Sequence, residues 1–237
     1  MNARIWYLYH SGFAVQTAKH FLIFDYWKQS PKGKGLTEGV VDPAALSEHD
    51  VIVFVSHSHG DHYSRTVHDW KKIIPKLRLV LSDDIPPVPG ALMVGQGKKL
   101  EQHDFSVETL ASNDEGVAFV VEIDGLRIYH AGDLNWWHWE GEPDDYNEGM
   151  ASTYKEQISR LRGKSIDVAF VPVDPRLEEQ YAWGIDHFMR TLDVRWVVPM
   201  HFGNDLSILE RLLSDEVSSE YRDRILKLPE RGASAEI

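Results

Sequence analysis

The sequence predicts a layered α/β protein, and three observations carry that reading. Short strand-like runs crowd the first half of the chain, helices alternate with strands in the second half, and several strands end in histidine or aspartate. Strands followed by a helix–strand alternation imply packed layers rather than an all-β sandwich. At 237 residues, with 43% hydrophobic side chains, the chain can bury a large core. No break in composition divides it, so we expect a single domain over residues 1–237.

The elements follow in order. Arg4 to Tyr9, Gly12 to Thr17 and His20 to Tyr26 read as a β-meander. Residues Lys28 to Gly39 hold three glycines, a proline and four charges; such a stretch buries little surface, and we expect a mobile loop near the strand ends. Val51 to Val55 is β-branched or aromatic throughout and suits a buried strand. Ser64 to Lys72 reads as helix, Arg78 to Ser82 as strand and Pro86 to Gly90 as a connector. A second meander covers Phe105 to Leu110, Val117 to Ile123 and Leu126 to His130, with Asp124-Gly125 as a hairpin turn. Helices are expected over Met150 to Leu161, Ile185 to Leu192 and Leu206 to Leu213. Strands are expected over Asp167 to Val171 and Arg195 to Val198.

The run Ser56-His57-Ser58-His59-Gly60-Asp61-His62 follows the Val51 to Val55 strand directly. Three imidazoles and a carboxylate on one turn are what a borderline divalent metal takes as ligands. The spacing does not fit one helix face, unlike H-E-x-x-H, so the ligands belong to a loop at a strand end. Two later strands end in the same kind of residue: Leu126 to His130 runs into Gly132-Asp133, and Trp196 to Met200 runs into His201.

The run His57-x-His59-x-Asp61-His62 resembles the signature of the metallo-β-lactamase superfamily, and Asp133 and His201 stand in the order that resemblance requires. It implies a four-layer αββα sandwich with metals at one edge. It implies that His57 and His59 bind one ion, that Asp61, His62 and His201 bind a second, and that Asp133 bridges them. Asp61 would also orient a metal-held hydroxide by accepting its proton. The turn Tyr9-His10-Ser11-Gly12-Phe13 resembles the Gly-His-Ser-type turn of the branch containing ascorbate-6-phosphate lactonase, with tyrosine where that branch has glycine.

One piece is missing. The family places a further histidine between the cluster and the bridging aspartate, where this chain reads Ser112-Asn113-Asp114-Glu115. Asp114 or the Asn113 oxygen is the expected replacement, with His103 and His130 as alternatives. An oxygen in place of nitrogen moves preference toward harder ions. We therefore expect one or two divalent ions per chain, zinc first, with manganese or iron as the other candidates.

The expected activity is hydrolysis of a small cytosolic ester, lactone, amide or phosphorylated metabolite. The chain has no cysteine and no Gly-x-Ser-x-Gly elbow, so nothing points to a protein nucleophile. The segment Asn135-Trp136-Trp137-His138-Trp139 follows the bridging aspartate and should border the pocket. There His138 is the candidate general acid and Trp137 a candidate wall, with His187 a weaker pocket candidate. An iron-dependent redox protein or a non-catalytic metal-binding protein on the same scaffold is the alternative. The net charge of −12 argues against a nucleic-acid partner, which draws on clustered Lys and Arg. No apolar run approaches the ~20 residues of a membrane span, and the N-terminal residues show no signal-peptide pattern. We expect a cytoplasmic protein with no membrane or nucleic-acid partner; the sequence carries no signal for its oligomeric state.

Overall fold

The computed structural model describes residues 3–30 and 35–237. The first sheet is built from β1 (Arg4–Tyr9), β2 (Gly12–Gln16), β3 (His20–Phe24), β4 (Asp50–Val55), β5 (Arg78–Ser82) and β6 (Leu92–Val94). The second takes β7 (Lys99–Glu101), β8 (Phe105–Ala111), β9 (Val117–Ile123), β10 (Leu126–His130), β11 (Ser165–Pro172) and β12 (Asp193–Met200). A last short strand, β13 (Ser234–Glu236), returns to pair antiparallel with β1 at the edge of the first sheet.

Each sheet changes character midway. Strands β1 to β3 form an antiparallel meander, after which β3, β4, β5 and β6 run parallel. Strands β7 to β10 are antiparallel, and β10, β11 and β12 are parallel. In the parallel halves the carboxyl ends all point one way, which is where open α/β sheets place ligands.

The side-chain period of two sorts each strand between layers. In β4, Ile52 and Phe54 join the core between the sheets, while Val51, Val53 and Val55 face the other way. Aromatic pairs bridge the sheets, with Phe13 4.4 Å from Phe170 and Phe54 5.5 Å from Phe119 between ring centroids. The outer face of the first sheet is covered by Val67 of α1 (Thr66–Asp69), with Trp70 and Ile74 just after it. Helices α2 (Asp144–Ser159), α3 (Trp183–Thr191) and α4 (Ser207–Ser214) contribute Tyr154, Ile158, Ile185, Phe188, Leu209 and Leu212 to the core on the side of the second sheet. The result is the expected αββα layering.

Several details differ from the sequence reading. Helix α2 starts six residues earlier than expected, because Pro143 sits at its N-cap and Asp144 and Asp145 favour the first turn. Strands β6, β7 and β13, three residues each, are too short for any periodicity and exist through pairing with longer neighbours. The loop expected over residues 28–39 falls partly outside the described residues; its described end carries a single 3-10 turn, Leu36–Glu38. Among the described residues no helix is long and apolar enough to cross a membrane.

Candidate metal centre

The expected ligands converge on one pole from several strand ends. The turn between β1 and β2 brings His10, β3 delivers Asp25, and β4 delivers Ser56 to His62. Beyond them β8 leads to Ser112 to Asp114, β10 to Asp133, β11 to Asp174 and β12 to His201. Two glycines make the approach possible. A Cβ on Gly116 would lie 2.0 Å from the Ser56 carbonyl oxygen, and one on Gly132 would lie 2.7 Å from Ser56 Cβ. Both glycines also have positive φ, so the loops carrying Asp114 and Asp133 can press onto the His57 turn only with glycine there.

Two donor groups result. The Nε2 or Nδ1 atoms of His57 and His59 and a carboxylate oxygen of Asp133 lie within 4.8 Å of one another, as do donor atoms of His10, Asp61, His62 and His201. Asp133 stands between the groups. Its Oδ1 is 3.0 Å from His62 Nε2 and 3.2 Å from His201 Nε2, and its Oδ2 is 3.5 Å from His57 Nε2. Asp61, with a half-exposed side chain, approaches His10 Nε2 to 3.5 Å. His59 is the most open imidazole of the set, 3.4 Å from Glu115.

The other nitrogen of each buried ring is held. His62 Nδ1 meets Asp25 at 2.8 Å, His201 Nδ1 meets Asp174 at 2.9 Å, and His57 Nδ1 meets the Ser56 hydroxyl at 2.9 Å. Asp25 is fully buried and also accepts from the Ser56 amide and hydroxyl. Such partners fix which nitrogen presents a lone pair to a metal. Meanwhile His57 Nε2, His62 Nε2 and Asp133 Oδ1 are buried without any hydrogen-bond partner. The 3.0 Å approach of His62 to Asp133 is therefore close without the alignment of a hydrogen bond. Orphaned buried polar atoms cost roughly 1–3 kcal/mol each, and a divalent cation would satisfy all three. The donor set of neutral imidazoles and carboxylates fits that ion.

The charges agree. Burial would raise the Asp133 carboxyl, yet His62 and His201 hold it well below the usual carboxylate range. Burial would lower the His201 imidazole, but Asp133 and Asp174 carry it up to about 9, and Asp133 and Asp25 raise His62 likewise, so a metal would displace a proton from each ring. Burial, reinforced by His201 and His62, pushes His10 down to about 3, which leaves a neutral ring. Backbone strain concentrates here too: His10, Asp25 and His201 all have left-handed φ, at 58°, 43° and 69°. Each such residue costs about 1–3 kcal/mol, and such outliers gather at functional sites.

The structure answers the missing-histidine question in part. The Asn113 amide donates to the carbonyls of Asn135 and Met150, and its oxygen accepts from the Asn135 amide, so it clamps loops and has no oxygen to spare. His130 is also occupied, with Nε2 2.8 Å from the Ser11 carbonyl and Nδ1 accepting from Gly132. His103 is exposed in the turn between β7 and β8. Asp114 remains: it lines the cleft with Asp133 and His201.

That cleft, about 190 Å³, is bordered by Asn113, Asp114, Trp137, Trp139, Tyr146 and Arg176. His138 is not among its lining residues, which corrects the general-acid expectation. The irregular segment Asn135 to Trp139 sends its side chains to two sides. Trp137 and Trp139 stack at 5.7 Å on the cleft side, while Trp136 and His138 pack on Trp183, 5.3 and 4.8 Å away. His187 lies with Trp136 and Trp183 in that outer group rather than in the cleft. Sequence reasoning gave His10 no role beyond its place in the Gly-His-Ser-type turn and did not single out Asp25, Asp174 or Arg176. A usable signal was present for two of them, since Phe24-Asp25 and Val173-Asp174 repeat the apolar-strand-then-aspartate pattern of the segment ending in Asp133.

Comparison with known proteins agrees with this geometry. Residues 4–140 match the family model of the Beta-lactamase superfamily domain, and the chain belongs to the metallo-β-lactamase superfamily. A relative from Opitutus terrae, a UPF0173 metal-dependent hydrolase, is 27% identical over 238 residues, covering 86% of this chain and 87% of its own. The solved structure of Igni18, a metallo hydrolase from Ignicoccus hospitalis, matches at a TM-score of 0.66 and 16% identity, covering 100% of this chain and 99% of that one. CmlA, a diiron β-hydroxylase from Streptomyces venezuelae, matches at a TM-score of 0.62 and 13% identity, covering 99% of this chain and 54% of that one. The two structural likenesses concern the fold. Family and relatives together make this protein a metal-dependent hydrolase of the superfamily. They single out the superfamily and not the ascorbate-6-phosphate lactonase branch that the Tyr9 to Phe13 turn resembles.

Proposed function

We propose that the protein hydrolyses a small ester, lactone, amide or phosphorylated metabolite in the cytoplasm, with His57, His59 and Asp133 holding one divalent ion and Asp61, His62, His201 and Asp133 a second. The carrying observation is the convergence of the orphaned His57, His62 and Asp133 donor atoms beside the cleft. When bound, the ions supply Lewis acidity and an acidified water. The chain supplies the rest. Asp61, half-exposed beside His10, would orient an attacking water and accept its proton. Asp25 and Asp174 keep the Nε2 lone pairs of His62 and His201 aimed inward. Trp137, with its indole N–H on the Asp133 carbonyl, walls the cleft and excludes bulk water. Asp114 is the chain's replacement for the absent histidine at the first ion. Drug-sized ligands fill pockets of roughly 300–1,000 Å³, so a cleft of about 190 Å³ favours a metabolite-sized substrate.

Asp114 in place of a histidine would give the first ion an oxygen where the family has a nitrogen, which supports a second reading of the metal, manganese or iron in place of zinc, and with iron the redox alternative. Metal analysis of protein purified without chelators, coupled to turnover of 4-nitrophenyl acetate, tests both. Zinc or manganese with ester turnover supports hydrolysis, whereas stoichiometric iron with oxygen uptake and no ester turnover would overturn it. Asp61→Ala should cut turnover ~10²-fold or more at full metal loading.

A further inference from the structure

We propose that Arg176 is the specificity-determining residue of the cleft and that the substrate carries a carboxylate or phosphate which its guanidinium receives. The inference rests on the hydrolase reading above and adds the substrate's charge.

Arg176 follows Asp174 and Pro175 at the end of β11, in a short 3-10 segment capped by the Asp174 side chain. Its Nε bonds both Asp174 oxygens at 3.0 Å, and its Nη2 bonds Oδ2. Its Cζ lies over the Trp139 ring, 5.4 Å from the centroid. One edge of the fork is thus fixed, and the head group rests against an aromatic ring. Among the described residues Nη1 has no protein partner, and the side chain is 62% exposed while Asp174 is 1% exposed. A guanidinium that merely neutralised Asp174 would need no exposed edge. This one stands in the cleft wall with Asp114, Asp133 and His201, and it is the only Lys or Arg among the lining residues. Its Nη1–Nη2 edge has the spacing to grip two oxygens of a carboxylate or phosphate. Because Asp174 also takes the His201 Nδ1 proton, one buried carboxylate sets both a metal-facing imidazole and the anion-binding arm. Trp137 and Trp139, stacked nearly parallel, leave a flat apolar wall for the part of the substrate between the anion and the scissile bond.

The chain carries a formal net charge of −12 and Asp114 and Asp133 line the cleft, so an anionic substrate needs a fixed cation away from the metals. An Arg at that place also sets polarity, since the anion must point toward β11 and the reacting bond toward Asp133.

The test uses metal-loaded, full-length protein and compares wild type with Arg176→Gln and Arg176→Lys. Binding of succinate, glutarate and adipate, with butyrate as the single-carboxylate control, is read by calorimetry and needs no turnover. At least one dicarboxylate should weaken about tenfold or more in Arg176→Gln, with a smaller loss in Arg176→Lys, while butyrate shifts much less. Repeating the titration with 4-phosphonobutyrate assigns the anion, since the class that loses more is the one the fork selects. In parallel, KM for 4-nitrophenyl hemisuccinate should rise relative to KM for 4-nitrophenyl acetate. Arg190→Gln, whose guanidinium pairs with Asp186 and Glu220 at the surface, should move neither. Equal losses for butyrate and every dianion in Arg176→Gln, or no loss, would overturn the assignment. No turnover of either ester by wild type, with the binding difference intact, would strike the hydrolase reading alone.

Discussion

Two clusters of histidine and aspartate sit at opposite ends of the same strands, and only one of them suits a metal. At the metal pole stand His10, His57, His62, His201 and Asp133. At the other end, His20 opens β3, Asp50 opens β4 and Arg78 opens β5, with Asp104 before β8 and Asp124 in the β9–β10 turn. In distance alone the second cluster qualifies as well, since donor atoms of His20, Asp50 and Asp104 lie within 4.8 Å of one another. Its hydrogen bonds exclude it. Both His20 nitrogens meet carboxylates, Asp124 at 2.9 Å and Asp104 at 2.8 Å. Arg78 bonds Asp104 twice and Asp50 once, at 2.7 to 2.8 Å. Thr17 and the Lys19 amide complete Asp124. Burial would lower the His20 imidazole, but Asp124 and Asp104 raise it, and a ring donating from both nitrogens has no lone pair for a cation. At the metal pole each held ring is satisfied on one nitrogen only. Composition and spacing do not separate a metal site from an ion network; the count of unsatisfied donors does.

The sharpest way to break this contrast is to change one central side chain at each pole. Asp133→Ala should abolish stoichiometric metal binding and reduce turnover by ~10³-fold or more, because it takes a ligand from both groups at once. His20→Gln should leave metal content, read by elemental analysis, and turnover at wild-type values. A matching loss of metal in His20→Gln would mean that the lower network also shapes the upper one. A step smaller, Asp25→Asn and Asp174→Asn test whether the outer partners matter as argued. Each should lower metal affinity about 10- to 100-fold, and wild-type affinity in both would show that ring orientation is set by packing alone.

His10 sharpens the contrast further. Its ring lies 4.1 Å from that of His201 between centroids, and its Nε2 is buried without a hydrogen-bond partner. We expect His10→Ala to weaken one metal equivalent by about tenfold in a titration of chelator-stripped protein and to leave the other unchanged. Two unaffected equivalents would make His10 a wall and not a ligand.

Much of this was legible in the residues. His57, His59, Asp61, His62, Asp133 and His201 lie at ends of apolar strands, and a strand end is a position that local pattern predicts. The parts that were not legible depend on tertiary arrangement. His10 sits in a two-residue turn whose sequence gives no reason to meet His201, and the contact follows from both backbones adopting left-handed φ, with the His201 amide donating to the His10 carbonyl. Asn113 could be excluded as the missing ligand only from its clamp on Asn135 and Met150, which joins loops far apart in sequence. His138 was assigned to the pocket by proximity to Asp133, but in an irregular segment turned by the Trp137 amide donating to the Asn135 carbonyl it packs on Trp183, away from the cleft.

The smallest expected effect concerns the paired pole and tests its electrostatics directly. The His20 pKa is raised in the folded protein. Its stabilisation is therefore fully present below the unfolded value of about 6.5 and fades as pH rises through the folded value. Asp104 and Asp124 are lowered, Asp104 chiefly by hydrogen bonds from Arg78 against an opposing burial cost, and Asp124 by Thr17 and His20 against the same cost. Their contribution is present above about 4 and is lost as pH falls through the folded values. The network should thus stabilise most between about pH 4 and 6.5. Removing the imidazolium in His20→Gln should cost about 1.5–3 kcal/mol at pH 6, the range for hydrogen bonds to charged groups, and less at pH 9.5. Urea unfolding of metal-free wild type and variant at the two pH values measures this, the metal being left out so that its own pH dependence does not enter. A loss that is the same at both values would show that His20 is held as a neutral ring by packing. The two poles would then differ in hydrogen bonding but not in charge.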